Sequence, residues 1–319
     1  MAVQRITTRN ARFQQLQTLL HNRTKRGRAG EFLVQGVRPI KMAVEHGWTV
    51  RSLLYDADRP LSRWAEDLLR RAGAERVAMA PQLLAELSEK SEGAAEVLAA
   101  VEMAPDSLSR IRVHDAFLGL VFDRPTQPGN IGSIVRSADA FGADGLIVTG
   151  HAADPYDPKS VRASTGSFFT VPVVRGESHR EVVDWLGRER AQGRPVAVVG
   201  TDEGGESDVS ELDLTGPVLL LIGNETTGLS AAWREACDHV VSIPMTGSAS
   251  SLNASNAASV VLYEARRQRL AKQRTAEERT GPVPCSGGGR GKRGGRRVEL
   301  YAGFCSGGAS RSRRRRPSI

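Results

Sequence analysis

Three short segments hold the residue types that can do chemistry. The first, DRPTQPGNIGSIVRSADAFG (residues 123–142), puts Asn130, Gly132 and Arg136 on a loop that enters a helix. The second, LLLIGNETTGLS (219–230), breaks an apolar run into Gly223, Asn224 and Glu225, with a further glycine at 228. The third, SIPMTGSASSLNASNAASVVLYEARRQR (242–269), carries Ile243 and Met245, then a serine-rich loop, then Ser251, Leu252 and Asn253 at the start of a long helix. A guanidinium stays protonated in proteins, so Arg136 suits an anion beside the helix. Glu225 sits at the carboxyl end of a strand, the edge where open α/β sheets bind ligands. It can accept a proton or orient its neighbours. Ordinary readings stand beside these. Asn130 fits a helix cap, as does either Ser251 or Asn253. The first loop also lacks the G-x-G-x-x-G spacing of a dinucleotide fold.

The elements around these loops follow from periodicity. Strands are expected at residues 117–122, 145–149, 195–200, 218–222 and 240–243, separated by helices near 131–141, 161–169, 180–191, 229–236 and 254–270. Continuous apolar strands alternating with helices indicate a parallel sheet covered on both faces. Ahead of them lies a smaller α/β unit of about 100 residues. It begins with a helix over 10–21, whose apolar residues Phe13, Leu16, Leu19 and Leu20 recur at helical spacing. A basic loop, HNRTKRGRAG, follows. Strands EFLVQG, VRSLLYD and RVAMA then alternate with three helices, and EMAPDSLSRIRV reads as a linker. The expected limits are 1–107 for the first unit, 108–275 for the second, and 276–319 for a Gly/Arg/Ser-rich tail that cannot build a core and is expected to be disordered.

Composition narrows the class. The 319 residues carry a net charge of +8, but residues 281–319 hold +9 and residues 1–41 hold +8, leaving −9 for residues 42–280. Basic ends on an acidic body suggest contact with a polyanion. Arg9, Arg23, Lys25, Arg26 and Arg28 are the expected phosphate contacts, with Arg162 in SVRAS as a second anion clamp. Phe13 and Phe32 read as core before they read as base-stacking residues. No stretch approaches a membrane helix and the N-terminus lacks the apolar core of a signal peptide, so a cytoplasmic protein without membrane contact is expected. Three widely spaced cysteines support neither a disulfide framework nor a zinc cluster, and no metal is expected.

The motifs N-x-G-x-x-x-R, G-N-E-x-x-G and I-P-M-x-G-x-x-S-S-L-N, in this order and spacing, resemble the SpoU/TrmH branch of the SPOUT RNA methyltransferases over residues 123–269. KSVRASTGS (159–167) also fits. The N-terminal segment RNARFQQLQTLLHNRTKRGRAGEFLVQGVRP is similar to that branch's ribosomal-protein-like substrate-binding domain, in particular that of the avilamycin-resistance 23S rRNA ribose methyltransferases. The resemblance implies an α/β fold with a deep trefoil knot, a rare exception to unknotted chains, and a homodimer. It also implies S-adenosylmethionine as methyl donor, held near Thr201, Gly223, Ile243, Met245 and Leu252. Its catalytic set would be Asn130, Arg136, Glu225, Ser251 and Asn253, and its reaction methylation of a ribose 2′-hydroxyl, with 23S rRNA as the expected target and antibiotic resistance a possible outcome. The alternatives are a tRNA 2′-O-methyltransferase and a non-catalytic RNA-binding assembly factor. The tail has no counterpart in the pattern.

Overall fold

The computed structural model describes residues 3–88 and 95–280. The first unit comprises β1 (Val3–Ile6), α1 (Ala11–His21), α2 (Arg23–Ala29), β2 (Glu31–Gln35), α3 (Val37–Glu45), β3 (Val50–Asp56), α4 (Arg63–Arg71), β4 (Glu75–Met79), α5 (Pro81–Ser88) and β5 (Val97–Glu102). Its five strands lie in the order β1-β4-β3-β5-β2, with β1, β4 and β3 parallel and β5 antiparallel to both neighbours. Sequence reasoning misses β1 and β5. It also misplaces one element, because the expected basic loop is the helix α2. Asn22 caps it by accepting from Lys25 N at 2.9 Å, and Gly30 ends it in the left-handed conformation. Phe13 is fully buried in the core of this unit, and Phe32 is fully buried where it meets the second.

The second unit runs β6 (Leu118–Asp123), α6 (Pro128–Phe141), β7 (Gly145–Thr149), α7 (Pro158–Ala163), β8 (Val173–Gly176), α8 (His179–Ala191), β9 (Ala197–Thr201), β10 (Ser207–Asp208), β11 (Val218–Ile222), α9 (Ala231–Ala236), β12 (His239–Ser242) and α10 (Ala254–Thr280). All its strand pairs are parallel, in the order β10-β12-β9-β11-β6-β7-β8. Both faces are buried, as the continuous apolar runs require. On β11, Leu219 and Leu221 face the core under α8 and α9, while Val218, Leu220 and Ile222 face the α6, α7 and α10 side. That second core continues without a break into Phe32, Val34 and Ile40 of the first unit.

Three details differ from expectation. The helix expected over 161–169 stops at Ala163, since Thr165 and Gly166 take positive φ (51° and 103°) before a short turn at Ser167–Phe169. Strands β8 and β10 were not anticipated. Helix α10 continues ten residues past its expected end to Thr280, and the rest of the expected tail lies outside the described residues. Within α10, Arg269 is 8% exposed and donates to the carbonyls of Leu214, Gly216, Ala116 and Phe117 at 2.5–3.0 Å. With Gln268, which donates to Leu212 O at 3.0 Å, these contacts draw the helix against residues 212–216, the segment ahead of β11.

Candidate active site

The carboxyl ends of β9, β11 and β12 surround a cavity of about 530 Å³, a volume within the usual range for small-molecule sites. Thr201, Gly223, Ile243, Met245 and Leu252, the five expected donor contacts, all line it. Glu225 and Ser251 join them there, while Asn130, Arg136 and Asn253 do not line the cavity. Met245 and Leu252 remain 37% and 38% exposed. Apolar side chains left open on a concave wall suit an apolar ring system as partner. The loop is tight by necessity: a Cβ on Gly223 would lie 2.4 Å from the Gly228 carbonyl carbon and 2.5 Å from Leu229 N.

At the lip of this cavity one hydrogen-bonded chain ties the three motifs together. Glu225 Oε2 accepts from Thr126 N at 2.9 Å and from its hydroxyl at 3.1 Å. Glu225 Oε1 accepts from Gln127 N at 3.1 Å and Asn130 Nδ2 at 3.0 Å. Asn130 Oδ1 in turn accepts from Asn253 Nδ2 at 3.2 Å. Asn253 Oδ1 accepts from Ser255 N and the Ser255 hydroxyl, so Asn253 caps α10. The amide orientations are self-consistent. The carboxylate at one end only accepts and the backbone N–H at the other only donates, which fixes a single sense for the chain. Asn130 is therefore not the cap of α6. The helix opens with Pro128, and its preceding N–H groups at Thr126 and Gln127 are satisfied by Glu225 from the second motif.

This arrangement sets the charge of Glu225. Burial works to raise its pKa, but hydrogen bonds from Thr126 N, Asn130 and Gln127 N outweigh burial and hold the carboxyl below the usual carboxylate range. Glu225 is thus a poor proton acceptor with four donors already in place. Arg136 lies two turns into α6, exposed, with no hydrogen bond or ion pair among the described residues. Its helix is seated by Gly132, where a Cβ would fall 2.0 Å from Ser160 O on α7. Among the described residues no group of three His, Cys, Asp or Glu could hold a metal ion, and no helix is long and apolar enough to cross a membrane.

The expected RNA contacts divide. Lys25 and Arg28 are exposed on α2 and make no side-chain ion pair among the described residues. Arg23 is exposed but donates to Ala152 O at 2.6 Å, and Arg9 is held by Glu86 at 2.6 Å. Arg162 is exposed on α7, and with the Gln35 amide turned so that its oxygen faces it, Arg162 donates there from Nε and Nη2. Arg26 is a correction. It is 2% exposed, donates to Asp154 Oδ2 at 3.0 and 2.8 Å, and also to Leu19 O and Leu20 O. It is an ion pair between the two units and has no surface to offer RNA.

Comparison with known proteins bears on both units. Residues 10–99 match the SpoU L30e-like domain and residues 118–263 the SpoU rRNA Methylase family. A 23S rRNA (uridine(2479)-2′-O)-methyltransferase of Streptomyces viridochromogenes is 66% identical over 269 residues, covering 84% of this chain and 94% of the relative. The crystal structure of the SpoU methyltransferase AviRb from the same organism, in complex with the cofactor AdoMet, superposes with a TM-score of 0.81 over 82% of this chain and 99% of that one, at 66% identity. An AdoMet-bound rRNA methyltransferase from Sinorhizobium meliloti is 29% identical with a TM-score of 0.73, covering 83% of this chain and 98% of that chain.

Proposed function

The chain belongs to the SpoU rRNA Methylase family, and from that premise we propose that it transfers the methyl group of S-adenosylmethionine to the 2′-hydroxyl of a uridine ribose in 23S rRNA. The observation that carries the reading is the hydrogen-bonded chain Glu225–Asn130–Asn253, which joins all three motif loops at the mouth of one ligand-sized cavity. The donor, when bound, supplies an electrophilic methyl on a sulfonium.

The residues of the chain do the rest. Gly223 and the Ile243, Met245 and Leu252 wall hold the apolar part of the donor, and Thr201 lies at the side of the same cavity. Ionised Glu225 fixes the Asn130 amide and, through it, Asn253, so the lip presents polar groups in a fixed orientation. Ser251 is exposed on the cavity wall, which supports a hydrogen bond from it to the incoming nucleotide. Arg136 bears the only permanent positive charge of the catalytic set. It stabilises the 2′-oxyanion as the hydroxyl proton passes to solvent and the oxygen takes the donor's methyl, and it clamps the adjacent phosphate, so catalysis rests on positioning and electrostatics. Lys25 and Arg28, with Arg9, Arg23 and Arg162 in support, hold the RNA backbone away from the reacting atoms.

The protein works as a homodimer in this reading. Val260 and Tyr263 are 39% and 57% exposed on one face of α10, with Phe141 of α6 edge-on to Tyr263 at 6.1 Å, an apolar strip beside the site. The first unit, residues 1–107, holds substrate, the second, 108–275, is the knotted catalytic unit, and a ribosomal RNA substrate implies work in the cytoplasm. Methyl transfer from radiolabelled donor into ribosomal RNA, with the modified nucleotide mapped, is the test. Arg136→Ala should abolish the product while calorimetry shows donor binding nearly intact. Labelled tRNA with unlabelled 23S rRNA would overturn the substrate assignment.

A further inference from the structure

The second residue of the opening motif, Arg124, has no part in the scheme above, yet its geometry is unusual. It is one of two described residues other than glycine with positive φ, at 49°. Side chains with a Cβ avoid this region unless surrounding contacts hold them there. At Arg124 the contacts are specific. Its N–H donates to Thr149 O at 2.9 Å, and its carbonyl accepts from Asn224 Nδ2 at 2.6 Å. The left-handed turn folds the side chain back over the end of β6, where Nε donates to Asp123 Oδ2 at 3.0 Å. The guanidinium then reaches the second motif loop: Nη2 donates to Gly228 O at 3.0 Å and Nη1 to the Thr227 hydroxyl at 3.3 Å.

The structure around it is built to receive this arginine. Gly150 leaves the space for its stem, since a Cβ there would come within 2.7 Å of Arg124 Cγ. Asp123, 3% exposed, also accepts from Ser230 N at 3.0 Å, just past the loop. The loop closes on itself through paired hydrogen bonds between Asn224 and Gly228, and Asn224 Oδ1 accepts from Thr226 N and Thr227 N. That closed ring, residues 223–228, forms one wall of the donor cavity, whereas Arg124 does not touch the cavity.

We infer that Arg124 is a positioning residue for the methyl donor: its strained backbone and two-pronged guanidinium clamp the 223–228 loop from outside and set the affinity for S-adenosylmethionine, without taking part in methyl transfer. The inference rests on the proposed methyltransferase reading, since it names the donor as the ligand of that cavity. The clamp holds Gly228 O and the Asn224 side chain together, so the backbone wall of the cavity keeps one shape before the donor arrives. Preorganisation of this kind appears in binding and not in turnover at saturation.

Calorimetry with S-adenosylmethionine, combined with steady-state methylation of 23S rRNA, tests it on wild type, Arg124→Lys, Arg124→Ala and Arg124→Gly. The three variants should raise donor Kd and donor KM by about tenfold or more, the worth of a lost charge-assisted hydrogen bond. kcat at saturating donor should stay within about twofold of wild type, with RNA KM unchanged, as expected when only ground-state and transition-state binding are lost equally. Arg124→Gly relieves the positive φ, so it should melt higher than Arg124→Ala while binding donor no better. That separates the clamp from mere backbone strain. Donor Kd in Arg124→Gly within about twofold of wild type would overturn the inference. Wild type that binds no donor would instead overturn the methyltransferase reading itself.

Discussion

Replacing Arg26 with methionine tests whether the basic run of α2 faces RNA or the other unit. The substitution keeps the aliphatic stem and removes the charge. In the folded protein Arg26 and Asp154 side chains are only 2% and 4% exposed, so their contact is hardly screened. Four hydrogen bonds leave the guanidinium, two to Asp154 Oδ2 and one each to Leu19 O and Leu20 O. Their loss strands a buried carboxylate whose remaining partners are Tyr156 N at 3.1 Å and a distant Arg175 at 3.9 Å. Breaking a buried pair from one side costs about 3–5 kcal/mol. At about 2–4 °C per kcal/mol for a unit of this size, the melting temperature should fall by roughly 6–20 °C. Adding Asp154→Asn removes the stranded charge but keeps an acceptor for Tyr156 N, and should recover about half of the loss, as a double-mutant cycle for a directly coupled pair requires. RNA affinity, measured well below the melting point, should not change. A melting temperature within about 2 °C of wild type, together with weaker RNA binding, would refute the interdomain assignment.

Lys25→Glu with Arg28→Glu should do the opposite, raising the RNA dissociation constant and flattening its salt dependence with the melting temperature unmoved, because exposed phosphate contacts act through counterion release. The Glu225 carboxyl, held low by its donors, contributes stability that is fully present above the unfolded value of about 4.3 and is lost as pH falls through the lower folded value; thermal melts from neutral to acid pH should therefore fall less steeply for Glu225→Gln than for wild type. At neutral pH the same variant should lose methylation by roughly 10–100-fold through misplacement of Asn130. Burial pushes the Cys237 thiol up to about 11, so peptide mapping should find it unalkylated by iodoacetamide at pH 8 until the protein is unfolded.

The sheet of the second unit was legible because five of its strands are short apolar runs bounded by loops, a pattern that strands buried on both faces must have. β1, β8 and β10 are brief and carry little periodic signal, and β5 was hidden in an Ala/Val run that a helix could equally well use. The site was legible in residue type more than in role. Asn130 read as a cap because local sequence shows where a helix begins and cannot show that Glu225, 95 positions on, already serves its entry. Arg26 read as surface for the same reason. Four basic residues in six positions look solvated, and the aspartate that buries one of them lies 128 positions away. α2 itself, with a glycine at its centre, has weak intrinsic helix preference and is held by Asn22, Gly30 and that buried pair.

The pair belongs to a larger junction, and its rigidity bears on how a far RNA contact can serve the reaction. Trp48 of the first unit donates from its indole nitrogen to Phe169 O at 3.1 Å and packs edge-on against that ring. Phe32 lies against Tyr156, Phe168 and Phe169 with centroids 4.9–6.3 Å apart. From this cluster the hydroxyls of Ser167 and Thr170 both donate to Asp139 on α6, at 2.7 and 3.1 Å. Asp139 is three residues beyond Arg136 on the same helix. The basic surface of α2 and the guanidinium of α6 are thus linked by packed aromatics, a buried ion pair and short hydrogen bonds. Such packing is stiff. The proposed scheme, which depends on placing one ribose hydroxyl to within about an ångström, needs that stiffness, since phosphates held by the first unit in that reading would otherwise leave the hydroxyl free to wander from Arg136 and the donor cavity.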